Sequence, residues 1–406
     1  MLRKKRAVLI QVVLLTGLLA ISAAAATVSS RSLNRLSKSK SQSVNESSRA
    51  KKRISSVRHT RRVVRRSKLR TSWRRRHRYY ERFTASSFAS DQTAGDVTAG
   101  EDAVVRQAAI DALGNMNGTV VAIDPTSGRV LAMVNQKLAL AEGAEPCSTI
   151  KISVALAALS ENIVSKDTRV PLGRRWSMDM TQALAHSNNA YFEALGRRLG
   201  FEKVSYYAHQ FGLGELAGWN IPGEHLGVFP SEELDTKLGG VGKMCSFGES
   251  ISLTPLQLGA LVSAIANGGT LYYLQHPIAS EEVASFEPKV KRYLDIAPLI
   301  PQLSPGMAGA VEYGTARSVR WSFSEEQVLG KTGTCSKDGT RLGWFASYAN
   351  TNAGRIVVVV FLQGGRPTFG PKAAEIAGHM YRNLYDHSFF AGKTPLPERQ
   401  AVGVSQ

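Results

Sequence analysis

Seven consecutive apolar residues near the C-terminal end, Ile356–Leu362 (IVVVVFL), constrain the fold most. A strand with one wet face alternates apolar and polar side chains. A run without alternation implies burial on both faces, so the chain must bring apolar layers to both sides of a sheet. The run lies in a predicted strand from Arg355 to Gln363, and Val328–Ser336 and Leu342–Tyr348 read as strands before it. At the other end, GTVVAID (Gly118–Asp124) and RVLAMV (Arg129–Val134) flank a Pro-Thr-Ser-Gly turn, the pattern of a hairpin. Helices are predicted over Glu101–Leu113, from Ser148 onward, and from about Lys372 to Tyr385. Residues 160–310 read as mainly helical, with Thr181–Leu199 and Pro255–Asn267 as examples. With strands at both ends and helices between, the expected fold is α+β: one antiparallel sheet built from both ends of the domain, with flanking helices and an inserted all-helical subdomain.

The formal net charge of +19 invites a nucleic-acid reading, but its location argues otherwise. MLRKKR at the start carries four cations, and Arg31–Arg82 holds 20 Lys/Arg against two acids. The rest is slightly acidic, a net −3. The basic stretch has few large apolar residues and cannot offset its ordering entropy, so it is expected to be a disordered spacer. Residues 1–28 read as a membrane anchor, or as a signal peptide cleaved near Ala23–Ala26, because an apolar run comes after the four cations. Either places the remainder of the chain outside the cytoplasm. The expected organisation is anchor or signal 1–28, basic spacer 29–100, folded domain 101–391 and disordered tail 392–406.

The three cysteines (Cys147, Cys245, Cys335) are too few for a disulfide framework, and neither they nor the eight histidines show metal-ligand spacing. No metal or cofactor is expected.

Three short motifs stand in order: Ser148-Thr-Ile-Lys151, Ser187-Asn-Asn189 and Lys331-Thr-Gly-Thr334. Each alone is weak. Ser37–Lys40 and Ser48–Lys51 repeat the first spacing inside the basic stretch, and Gly392-Lys-Thr394 repeats part of the third without a strand. Context separates them. Ser148 opens a helix after Pro146, where free N–H groups favour a developing anion. Lys151 at i+3 lies on the same face, and Lys331–Thr334 falls in a strand.

This ordered set resembles the signature of the penicillin-binding protein transpeptidase domain and its serine β-lactamase relatives. The resemblance covers about Gly118 to Tyr385. Cys245–Thr270, Glu312-Tyr-Gly-Thr-Ala316 and Trp344-Phe345 extend it. It implies that Ser148 attacks a D-Ala-D-Ala peptide bond or a β-lactam amide, with the N–H groups of Ser148 and Thr334 as the oxyanion hole. Lys151 would take the serine proton, its amine kept neutral by burial and by a nearby cation such as Lys331. Ser187 and Asn189 would relay a proton and hold the substrate amide. Lys331, Thr332, Gly333 and Thr334 would bind the terminal carboxylate. Implied partners are peptidoglycan stem peptides, β-lactams and a separate glycosyltransferase, since neither a glycosyltransferase nor a pedestal domain is read ahead of the motifs. The membrane would be met through residues 1–28, and anionic polymers or lipids through the basic spacer. The implied location is the bacterial cell envelope.

Structural roles compete with these. Ser148 could be a plain N-cap, and Ser187 and Asn189 ordinary helix-end residues. His186 has no acid beside it and reads as structural. Cys147 and Cys335 flank the first and third motifs and could lie close together in space; a disulfide between them stays open, with independent buried thiols the preferred reading. Among other functions, a class A β-lactamase needs a deacylating glutamate in an E-x-x-L-N segment that is not found. A class D enzyme carries valine where Asn189 stands. A non-turnover β-lactam receptor would carry a signalling domain, and a polyanion-binding module would act through the basic stretch alone.

Overall fold

The computed structural model describes residues 82–351 and 354–390. The anchor or signal segment, the spacer up to residue 81 and the tail from 391 lie outside the described residues. Among the described residues, no helix is long and apolar enough to cross a membrane.

Five strands form one antiparallel sheet: β1 (Gly118–Asp124), β2 (Arg129–Val134), β3 (Gln327–Lys337), β4 (Thr340–Thr351) and β5 (Gly354–Gly364). Their spatial order is β2-β1-β5-β4-β3, so the first strand and the last are neighbours, with Val120 opposite Val360. The sheet is thus assembled from both ends of the domain, as the sequence predicts.

The unbroken IVVVVFL run has a direct cause. Val357, Val359 and Phe361 point into one apolar layer, while Ile356, Val358, Val360 and Leu362 point into another. The first layer contains α2 (Lys151–Ser160) and α6 (Pro255–Asn267); the second contains α1 (Ala103–Leu113) and α8 (Gly370–Asp386). The period of two is present in space and invisible in composition, because both faces are apolar.

Helix α2 is buried from Lys151 to Leu159. A helix apolar all round belongs inside a core, and this one carries the first motif into the centre of the molecule. The inserted region holds α3 (Met180–Ala185), α4 (Asn189–Gln210), α5 (Gly240–Phe247), α6 and α7 (Ile300–Glu312). About half of it is helical, with two departures from the sequence expectation. Two short ribbons, Val170–Gly173 with Trp176–Met178 and Thr270–Tyr272 with Val290–Tyr293, are too brief to show a period. Residues 211–235 carry no helix; Gly212, Gly214 and Gly223 there adopt left-handed backbone that ends helices.

Residues 83–100, assigned to the spacer from sequence, belong to the folded domain. The Thr84 N–H donates to Gly339 O at 2.9 Å, and Ser87 Oγ accepts from Gly365 N at 2.7 Å. Asp96 pairs with Arg106 at 2.9 Å and accepts from the N–H of Gln136 at 2.8 Å. These are polar backbone ties with little apolar periodicity, which is why the boundary at 100 comes too late.

The two-sided core makes a simple prediction. Leu362→Ala, at a side chain with 0 % exposure, should lower unfolding free energy by about 2–5 kcal/mol. Tyr293→Ala, at 72 % exposure, should change it by less than about 0.5 kcal/mol. Chemical-denaturation midpoints check both, and equal effects would contradict the layer assignment.

Candidate active site

The first motif enters through a turn. Cys147–Ile150 form one turn of 3-10 helix that runs into α2 at Lys151. In this geometry residues three apart eclipse one another, so the Lys151 side chain lies over that of Ser148. Lys151 Nζ is 2.9 Å from Ser148 Oγ.

The second motif lies where sequence reading expects unbroken helix over Thr181–Leu199. The helix in fact stops at Ala185, because Ser187 is left-handed with φ 54° and Asn188 starts α4 by accepting from Tyr191 N at 2.9 Å. The break is what aims this motif inward. Lys151 Nζ lies 2.6 Å from Asn189 Oδ1, 2.9 Å from Ser187 O and 3.1 Å from Ser187 Oγ.

Four oxygens therefore surround one amine. An ammonium has three protons and no acceptor; a neutral amine donates two and accepts one. Donation to Asn189 and Ser187 leaves the lone pair of the neutral form free for the Ser148 hydroxyl proton. Lys151 is fully buried, and burial lowers its pKa to about 7 against the opposing pull of the Glu193 carboxylate. Sequence reading credits Lys331 with part of this lowering. Burial is the largest cause, and the repulsion between the two amines appears as a lowering of the Lys331 pKa. Lys331 is also fully buried, and burial together with repulsion from Lys151 drives its pKa well below the ordinary range.

The third motif lies on β3, an edge strand of the sheet. Lys331 Nζ donates to Thr332 O at 2.8 Å, while the Thr332 and Thr315 hydroxyl oxygens are 2.6 Å apart. Of the residues expected to bind a carboxylate, Lys331 and Thr332 are buried and Thr334 is exposed. The Thr334 Oγ1 accepts from Gly370 N at 2.7 Å. Gly333 is required by close approach: a Cβ there would stand 2.8 Å from Pro146 O, in the turn before Ser148.

Cys147 and Cys335 form a disulfide across a sequence separation of 188 residues, not the independent thiols read from sequence. Linear spacing alone does not show that β3 passes against the Cys147–Ile150 turn. A closed loop of this length stabilises by on the order of 5 kcal/mol in the chain-entropy view. Cys245 is free and buried.

Several neighbours are absent from the sequence reading of the site. Thr315, whose N–H donates to Ala185 O at 3.1 Å, ties the Glu312–Ala316 segment to the end of α3, just before the second motif, and to Thr332 of the third. Trp344 Nε1 donates to Glu145 O at 2.9 Å and stacks on Phe361 with centroids 4.0 Å apart, bracing the turn against the sheet. The Glu145 carboxyl is raised to about 7 by burial and by repulsion from Glu249, against the pull of Lys337 and Lys243. It lines a groove of about 410 Å³ with Glu249, Ser250, Thr334 and Cys335. A larger concavity of about 1010 Å³, near residues 136–144, contains none of the three motifs. His186 is exposed and packs on Tyr313 at 5.6 Å. Among the described residues no cluster of His, Cys, Asp or Glu could hold a metal ion.

The chain is similar to known proteins in sequence and fold. Residues 118–385 match the family model described as "Penicillin binding protein transpeptidase domain". Stage V sporulation protein D of Bacillus subtilis is 29% identical over 317 residues, covering 65% of this chain and 48% of that protein. Peptidoglycan D,D-transpeptidase MrdA of Acinetobacter baumannii is 24% identical over 343 residues, covering 65% and 50%. The chain thus spans about half the length of these relatives. The solved structure of a peptidoglycan glycosyltransferase from Burkholderia ambifaria superposes with TM-score 0.61 at 18% identity, over 73% of this chain and 100% of that one, a likeness of fold. With the family model covering most of the folded domain, this chain belongs to the penicillin-binding protein transpeptidase family.

Proposed function

We propose that the chain is a serine D,D-transpeptidase acting on D-Ala-D-Ala stem peptides of peptidoglycan through an acyl-enzyme on Ser148. The observation that carries the reading is the buried Lys151 amine. Its pKa is near 7, and it lies within hydrogen-bond distance of the Ser148 hydroxyl and of both polar residues of the second motif. The name of the A. baumannii relative supports it.

In the first half-reaction Ser148 Oγ attacks the carbonyl carbon of the penultimate D-alanine as its proton passes to the neutral Lys151 amine. The N–H groups of Ser148 and Thr334 hold the resulting oxyanion; one such donor is worth about 10²–10³ in rate. Collapse breaks the C–N bond. The leaving amine takes a proton through Ser187 from Lys151, and the acyl group remains as an ester on Ser148. An acceptor amine then attacks the ester, forming a new peptide bond and restoring Ser148; water in its place gives carboxypeptidase turnover. Asn189 holds the substrate amide. The exposed Thr334 receives the terminal carboxylate, with Thr332 and Lys331 buried behind it. The proposed setting is the extracytoplasmic face of the cell envelope. Residues 1–28 would anchor the chain, the basic segment would reach towards anionic lipids or wall polymers, and a separate glycosyltransferase would supply glycan strands.

The chain should release D-alanine from a peptide ending in D-Ala-D-Ala, and Ser148→Ala should lose that release with an unchanged circular dichroism spectrum. Persistent release in the variant would refute the nucleophile. A β-lactam should acylate the same serine and stay. Hydrolysis needs a dedicated base and an ordered water, and the tethered leaving group of the opened ring obstructs an incoming amine. Intact-mass spectrometry after drug removal should show the adduct for many minutes. Return to free mass within seconds would favour a β-lactamase.

A further inference from the structure

Two segments far apart in sequence meet beside the nucleophile, and a covalent bond joins them at the residues next to the two proposed oxyanion donors. Cys147 immediately precedes Ser148, and Cys335 immediately follows Thr334. Their Cα atoms are 5.5 Å apart. Because β3 is an edge strand, no ladder of backbone hydrogen bonds ties its open side to the nucleophile turn. The turn is braced to β4 by the Trp344–Glu145 bond, and towards β3 it meets Gly333 and the disulfide. Cys147 also holds left-handed backbone, φ 51°, which side-chain-bearing residues seldom adopt. Relaxation of that residue would rotate the Ser148 N–H.

The geometry points to the Cys147–Cys335 disulfide as a positioning element for acyl transfer. It fixes the spacing between the Ser148 and Thr334 N–H groups and locks the left-handed turn that aims the first of them. The inference rests on the acyl-transfer reading above. An oxyanion hole works only when both donors stand about 2.7–3.1 Å from where the charge develops, and a crosslink one residue from each limits their drift. A bridge that served stability alone could join any two points of so long a loop. Cys335 is half-buried and lines the groove beside Thr334, so the bond is reachable by a small reductant, whereas the third cysteine, Cys245, is buried in the core.

The test is single-turnover acylation of the full chain by a fluorescent penicillin, resolved into reversible binding and the acylation rate constant. It is run on the native protein, on protein reduced by a phosphine, and on the double variant Cys147→Gly/Cys335→Ser. Glycine accepts the left-handed turn without strain, so the variant separates backbone shape from the crosslink. Reduction should lower the acylation rate constant by about tenfold or more, towards the effect of losing one donor, with the binding constant held within about twofold. Reoxidation with oxidised glutathione should restore the native protein's rate. The double variant should stay slow whatever the redox state. An unchanged rate constant on full reduction would overturn the inference. So would a parallel loss of binding, rate and circular dichroism signal, which would assign the bridge to stability alone. Native protein that is never acylated would instead refute the acyl-transfer reading, and the positioning role with it.

Discussion

Burying a lysine amine costs more than almost any other side-chain placement, because the ammonium gives up its hydration. Two such amines, Lys151 and Lys331, lie in the centre of this molecule, and among the described residues neither forms an ion pair. The fold answers that cost by favouring the uncharged form of both amines. Burial depresses both amines, and what surrounds Lys151 is a ring of neutral oxygens that suit an amine with a free lone pair. Two hydroxyls stand in that ring, those of Ser148 and Ser187, and the proposed reaction gives the first the attack and the second the proton relay.

The rest of the architecture keeps the ring closed. Its three motifs come from a turn entering a buried helix, a break between two helices and an edge strand, which no local interaction could hold together. The sheet does so by joining the first strand to the last, and by packing α2 on one face and α8 on the other. Short ties then set the register: Gly333 under Pro146, Thr315 against Thr332, and the Trp344 indole on Glu145. Helix macrodipoles and surface ion pairs are weak beside these buried constraints.

Much of this was legible in the sequence, because the signals were local and repeated. The apolar run at Ile356–Leu362 and the hairpin at Gly118–Val134 specified a two-sided sheet fed from both ends. The spacing Ser148–Lys151 placed the amine beside the hydroxyl. What escaped were features set by distant partners. Helical periodicity ran through Ser187, and only the left-handed turn there revealed the break. The pairing of Cys147 with Cys335 depends on a strand crossing that spacing does not encode. Residues 83–100 hold on by backbone bonds, which composition does not record. Lys331 reads as a carboxylate ligand by resemblance, whereas in the structure it lies buried with its amine on Thr332 O.

The central claim is that Lys151 acts as a neutral base because burial brings its pKa near 7. The most direct measurement is the pH dependence of the acylation rate constant for the full chain with a β-lactam. Below the pKa the amine is protonated and cannot accept the serine proton, so the rate should rise about tenfold per pH unit and level off just above about pH 7. A rate still climbing beyond about pH 9 would mean a lysine near its ordinary pKa of about 10.4. A profile flat from about pH 5 upward would mean that some other group takes the proton, and either result would contradict the account.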